Sequence, residues 1–142
     1  TKIDNICGIK DATGDLERGA EVLARRPSDF AVYSGDDVSA RELMRMGANG
    51  NISVTANIAP KLMAKMCAAA LNGSNSDADR FDERMQSLHN ALFLESNPIP
   101  VKWALNRLGK IEDVLRLPLT PLSHAFYGEI ETAMQSAMIQ LD

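Results

Sequence analysis

The feature that most constrains this chain is an alternation in its first half. Short apolar runs, "NICGI" (5–9), "FAVYSG" (30–35) and "GNISVT" (50–55), are each followed by a stretch with helical spacing. A strand every 20 to 25 residues or so leaves connections far longer than tight hairpins need and long enough for crossover helices, hence parallel pairing. "TGDLERGAEVLARR" (13–26) sets Leu16, Ala20 and Leu23 on one face, with Thr13 or Asp15 able to cap it and Pro27 just past its end. "DVSARELMRMG" (37–47) is a short helix that Gly47 can stop, and "APKLMAKMCAAALNG" (59–73) is a third that ends at Gly73. Three parallel strands form a narrow sheet with two exposed edges, which proteins generally avoid. Such a unit reads as a piece of a larger barrel or sheet.

The second half changes character. "NGSNSD" (72–77) is a polar break, and only helices are expected beyond it. Residues 77–94 carry Phe81, Met85, Leu88 and Leu92 as one apolar stripe. "NPIPVKWALNRLG" (97–109) has prolines at its entry and a glycine at its exit, and 117–141 is a proline-rich approach to a last helix. The expected architecture is α/β: three βα units over 1–73, then a three-helix domain over 74–142.

Composition narrows the function. A net charge of −4 argues against nucleic acid and anionic membrane surfaces. No apolar run approaches the roughly 18 residues of a membrane span, and "TKIDNIC" lacks the pattern of a signal peptide. Cys7 and Cys67 are far apart in apolar surroundings and read as buried free thiols of a reducing compartment. No Cys/His cluster has zinc-site spacing, so no metal is expected.

In parallel α/β folds the loops after the C-terminal strand ends converge on the active site. Those ends carry Lys10, then Gly35, Asp36 and Asp37, then "SVTAN" (53–57). A desolvated lysine yields free amine near neutrality, and the amine attacks a ketone to give an imine. The protonated imine is an electron sink that acidifies the neighbouring carbon. A solvated or salt-bridged lysine is the plainer reading of Lys10, and a helix N-cap is the plainer reading of "SGDD". His89 reads as a structural hydrogen-bonding residue, His124 as surface, Trp103, Tyr33 and Tyr127 as packing.

Taken together, "GIKDATGD" (8–15), "YSGDD" (33–37), "GANGNISVTANIAPK" (47–61), "LHNALFLESNPIPVKWAL" (88–105) and "LRLPLTP" (115–121) resemble the dihydrodipicolinate synthase family, whose members are class I aldolases on a TIM barrel. The blocks cover essentially the whole chain in the family's order. The resemblance implies the last three βα units of a (β/α)8 barrel and a helical C-terminal domain. It implies that Lys10 forms the imine with pyruvate, that Gly35 and Asp36 line the pocket, and that Ile52 offers a backbone carbonyl beside the pyruvyl group. The implied reaction condenses pyruvate with aspartate-4-semialdehyde to 4-hydroxy-tetrahydrodipicolinate, towards diaminopimelate and lysine. It needs no cofactor beyond the covalent imine. A cytoplasmic homotetramer or dimer of dimers is implied, with Leu16, Met44, Met46, Arg41 and Arg45 near a subunit contact or on an ordinary helix surface.

By the same resemblance the chain starts just before the sixth barrel strand. The carboxylate-binding Gly-Thr-Thr-Gly-Glu turn, the proton-relay tyrosine, its threonine partner and the arginine for the second substrate then belong to a half that these residues do not include. Neither Tyr33 nor Tyr127 matches that tyrosine. These 142 residues alone are therefore expected to be catalytically incompetent, with the N-terminal half of the barrel as their necessary partner. The rival expectations are another aldolase of the superfamily, such as N-acetylneuraminate lyase or a 2-keto-3-deoxy sugar acid aldolase, and a non-catalytic half-barrel module.

Overall fold

The structure is a computed structural model, and it describes residues 3–139. The elements run β1 (Gly8–Asp11), α1 (Leu16–Arg25), β2 (Ala31–Ser34), α2 (Asp37–Arg45), β3 (Gly50–Asn51), α3 (Pro60–Leu71), α4 (Asn75–Glu83), α5 (Gln86–Ala91), α6 (Ile99–Arg107) and α7 (Tyr127–Ser136). Short 3-10 turns occupy Thr55–Asn57 and His124–Phe126. The contacts group into two compact units. One runs to Ser53 and takes in Lys65–Arg80; the other joins Val54–Ala64 to the described residues from Phe81 onwards.

The first unit is built on a parallel three-stranded sheet of order β1-β2-β3. Lys10 lies opposite Tyr33 and Tyr33 opposite Gly50, so one row crosses all three strands. Side chains alternate across a strand. Val32 and Ser34 are fully buried on the face against which α2 packs, and Asp11 is buried as well. Lys10 and Tyr33 point the other way and are exposed, as is Ile52 just beyond β3. Asp15 caps α1 by accepting from the Glu17 and Arg18 amides at 3.0 and 3.1 Å. A cap of this kind is worth about 1 kcal/mol. Gly47, at φ +115°, ends the turn after α2 in a conformation other residues rarely adopt.

The third strand is shorter than the apolar run over 50–55 predicts. Ladder pairing stops at Asn51, because the backbone turns into the Thr55–Asn57 turn; Ile52 still donates its N–H to Ser34 O at 2.9 Å. Ile52 therefore lies one residue past the strand. Cys7 is exposed rather than buried, since it precedes the first ladder residue, and Cys67 on α3 is partly covered. Met44 is 3% exposed and belongs to the interior of this unit; Arg41 and Arg45 both hold Asp79, at 2.9 and 2.7 Å. Met46 of that group is exposed and Leu16 is partly exposed, so these two present its apolar surface.

Among the described residues four helices follow α3, where the sequence predicts three. The stripe over 77–94 is split between α4 and α5, because the Met85 N–H bonds back only three residues, to Asp82 O at 2.8 Å. That tighter turn interrupts the helix. The stripe's function survives the break: Met85, Leu88 and Leu92 are fully buried. In the second unit they share the interior with Ile130 and Met134, α5 packing on α7. Each such side chain contributes roughly 1.5–3 kcal/mol by leaving water. Trp103 is buried against Tyr127, ring centroids 4.5 Å apart, and exposed His124 tilts onto the same tyrosine. His89 is a fully buried hydrogen-bonding residue: its Nδ1 meets Thr55 Oγ1 at 2.8 Å, and its Nε2 lies 3.6 Å from Asp82 Oδ1. Among the described residues no helix is long and apolar enough to cross a membrane.

Candidate active site

Lys10 is the third residue of β1, on the open face of the sheet. Its carbon stem runs over Gly35, at the end of β2. A Cβ at Gly35 would collide with Lys10 Cε and would lie 2.9 Å from Lys10 Cγ and 2.8 Å from Ala12 Cβ. Gly35 does not have a positive φ, so space rather than backbone conformation requires glycine here. The Gly35 N–H donates to Asp11 O at 2.7 Å and locks the two strand ends together. Lysine stem, Gly35 and Ala12 thus form one close-packed bed. Among the described residues no carboxylate forms an ion pair with the Lys10 ammonium. Lys10 is also exposed, so the described residues do not by themselves supply the dry surroundings that imine chemistry calls for.

Asp36 acts as the N-cap of α2. Its carboxylate accepts from the Ser39 amide at 2.9 Å and from the Ser39 hydroxyl at 2.6 Å. Buried Ser34 braces the same turn, donating its hydroxyl to Asp36 O at 2.7 Å and accepting the Asp36 N–H at 3.1 Å. Gly14, at φ +71°, is close enough that a Cβ there would sit 3.4 Å from the Asp36 carboxylate. The turns after β1 and β2 therefore abut at Asp36. Tyr33, beside Lys10 in the row across the sheet, lays its ring over Gly50, where a Cβ would lie 3.4 Å from it.

One part of the site is visible only in the structure. Asp11, next to the lysine but on the covered face, has a side chain only 5% exposed. One of its oxygens accepts from the Thr13 hydroxyl at 2.7 Å and the Thr13 amide at 3.0 Å; the other accepts from Arg18 Nε at 2.9 Å. The Thr13 hydroxyl holds this carboxyl below the usual carboxylate range against the upward push of burial, and the Thr13 amide and Arg18 guanidinium act in the same direction. Strand alternation was the available signal. A residue next to an outward lysine faces inward, and a buried carboxylate requires donors nearby.

Among the described residues, no group of three or more His, Cys, Asp or Glu side chains gathers where it could hold a metal ion. What the residues do bring together is one lysine on an open strand end over a glycine bed, framed by two braced turns. A sequence profile of the dihydrodipicolinate synthetase family matches residues 1–137. The chain belongs to this family. The 4-hydroxy-tetrahydrodipicolinate synthase of Marinobacter nauticus is 55% identical over 135 residues, which are 95% of this chain and 46% of that protein. That of Ectopseudomonas mendocina is 57% identical over the same shares. Among solved structures, the chloride-inhibited dihydrodipicolinate synthase from Acinetobacter baumannii complexed with pyruvate superposes with a TM-score of 0.94 at 51% identity, covering 98% of this chain and 48% of that one. The Aquifex aeolicus enzyme matches with a TM-score of 0.94 at 34% identity. The chain spans about half the length of these dihydrodipicolinate synthase relatives.

Proposed function

We propose that the protein carrying this chain condenses pyruvate with aspartate-4-semialdehyde to 4-hydroxy-tetrahydrodipicolinate, with Lys10 as the nucleophile. The observation that carries this reading is the placement of Lys10: it stands at the C-terminal end of a parallel strand, over a glycine bed, with no carboxylate paired to its ammonium among the described residues. The family match and the pyruvate complex of the Acinetobacter relative support it.

The free amine of Lys10 adds to the ketone carbon of pyruvate, and water leaves to give the imine. Its protonated form accepts the electron pair released when a methyl proton departs, and an enamine results. The enamine carbon forms the new bond to the aldehyde carbon, whose oxygen takes up a proton. The amino group of the second substrate then displaces Lys10 as the ring closes. The imine itself serves as electron sink, so the step requires no metal. In this reading Gly35, Asp36 and the Ile52 carbonyl line the pyruvyl pocket. Residues 1–73 are the last βα units of a TIM barrel, and 74–142 are its helical C-terminal domain. The remaining strands, and further copies in a homo-oligomer, would exclude water from Lys10, in a cytoplasmic enzyme.

The proposal extends to this chain by itself: with Lys10 exposed and half of the relatives' length outside it, turnover is not expected. Incubation with pyruvate and borohydride, followed by intact-mass measurement and peptide mapping, tests both parts. One reduced pyruvyl adduct on Lys10 is expected in the full-length protein. No adduct there would overturn the nucleophile assignment, and steady turnover of both substrates by the 142-residue chain alone would overturn its incompetence.

A further inference from the structure

Resting on that reading, we propose that Thr13 and Arg18, acting through the buried Asp11 carboxylate, are positioning residues that hold the Lys10 amine in its attacking geometry. Thr13 and Arg18 grip opposite oxygens of Asp11, at 2.7 and 2.9 Å. The second Thr13 bond, from its amide at 3.0 Å, closes a tight turn right after the strand. Ala12 lies inside that turn, and Ala12 with Gly35 forms the bed of the lysine stem. The Asp11 carbonyl, on the same residue, accepts the Gly35 N–H at 2.7 Å. Asp11 is therefore tied by four hydrogen bonds, three to its carboxylate and one to its backbone carbonyl, and each bears on the turn or on the strand end beneath the stem.

A lysine stem has four rotatable bonds, so its amine wanders unless the surface beneath it is rigid. A misplacement of about 1 Å at a reacting atom costs up to about a hundredfold in rate. Arg18 does more than neutralise a buried charge. It comes from the first turn of α1, whose start Asp15 caps, and so it fixes the helix to the strand end. None of these groups is required to touch substrate.

The test uses the full-length protein, with single-turnover trapping of pyruvate by borohydride read at Lys10. Two quantities are measured: the fraction of molecules that react, and the rate constant of those that do. A merely structural role lowers the first through unfolding and leaves the second unchanged. Thr13→Val is expected to slow imine formation about tenfold at full amplitude, while Thr13→Ser, which keeps the hydroxyl, stays within about twofold of the parent. Arg18→Gln is expected to slow it about threefold, also at full amplitude. Rate constants for Thr13→Val and Arg18→Gln that equal the parent's, or a Thr13→Ser variant as slow as Thr13→Val, would overturn the positioning role while leaving the Lys10 assignment intact. Absence of any adduct on the unsubstituted protein would overturn both.

Discussion

Replacing Gly35 by alanine puts a methyl group where the lysine stem now runs. The new carbon would lie 2.8 Å from Ala12 Cβ and 2.9 Å from Lys10 Cγ, and would collide with Lys10 Cε. Carbon atoms in good contact are about 3.5–4.0 Å apart, so the gap to Ala12 is short by about 0.7 Å or more. The lysine can swing aside at small cost, because its stem is flexible and its end is exposed. Ala12 cannot, because its Cβ hangs directly on the backbone of the braced turn. Overpacking of this kind costs about 1–3 kcal/mol. Since Gly35 has no positive φ, none of that cost arises from backbone conformation, and the variant isolates the effect of space. The amine would move by about 1 Å, which corresponds to a loss of up to about a hundredfold in imine formation. Urea unfolding of the full-length protein gives the stability term, and borohydride trapping gives the rate. A Gly35→Ala protein that traps pyruvate at the parent rate would refute the claim that the glycine bed orients Lys10. Gly128 supplies the control: a Cβ there meets nothing within 4 Å, so Gly128→Ala near the start of α7 should be neutral or stabilising by up to about 1 kcal/mol.

His89→Leu removes the ring that bonds Thr55 inside a fully buried cluster, and a loss of about 2–4 kcal/mol is expected by urea denaturation; a change below about 0.5 kcal/mol would show that the cluster contributes nothing. The folded-state value of Asp11 lies below the ordinary carboxylate value of about 3.9, so its contribution is full above that pH and is lost as pH falls through the lower folded value. Between about pH 5 and 2 the parent should therefore lose stability more steeply than Asp11→Asn, and parallel curves would contradict the shift. Burial first, and the Asp37 charge second, push the Cys67 thiol up, whereas Cys7 is exposed. Iodoacetamide on the native 142-residue chain should accordingly label Cys7 well before Cys67, with equal rates as the refuting outcome.

Much of the fold is readable from local patterns. The βα period announces the three parallel strands, and helical spacing with Asp15, Gly47 and Gly73 nearly delimits α1, α2 and α3. These signals are short-range, and so a linear pattern carries them. The end of β3 and the break between α4 and α5 are not legible in the sequence for the opposite reason. "ISVT" and the stripe from Phe81 to Leu92 have the right apolar content for continuation. Where each element stops is decided by hydrogen bonds that content does not encode, the Thr55–Asn57 turn in one case and the Met85-to-Asp82 bond in the other.

The site divides along the same line. The sequence by itself determined that a lysine, a Gly-Asp turn and a third strand end would lie side by side, because parallel strands with helical crossovers bring their C-terminal ends to one edge. Only the tertiary structure decided which way each side chain faces and what it grips. Lys10 lies over Gly35, Asp36 is committed to Ser39, and Asp11 is held by Thr13 and Arg18. Those outcomes depend on register and on contacts between residues distant in the chain. They set the contact distances on which the reactivity of an amine depends and which composition and spacing do not specify.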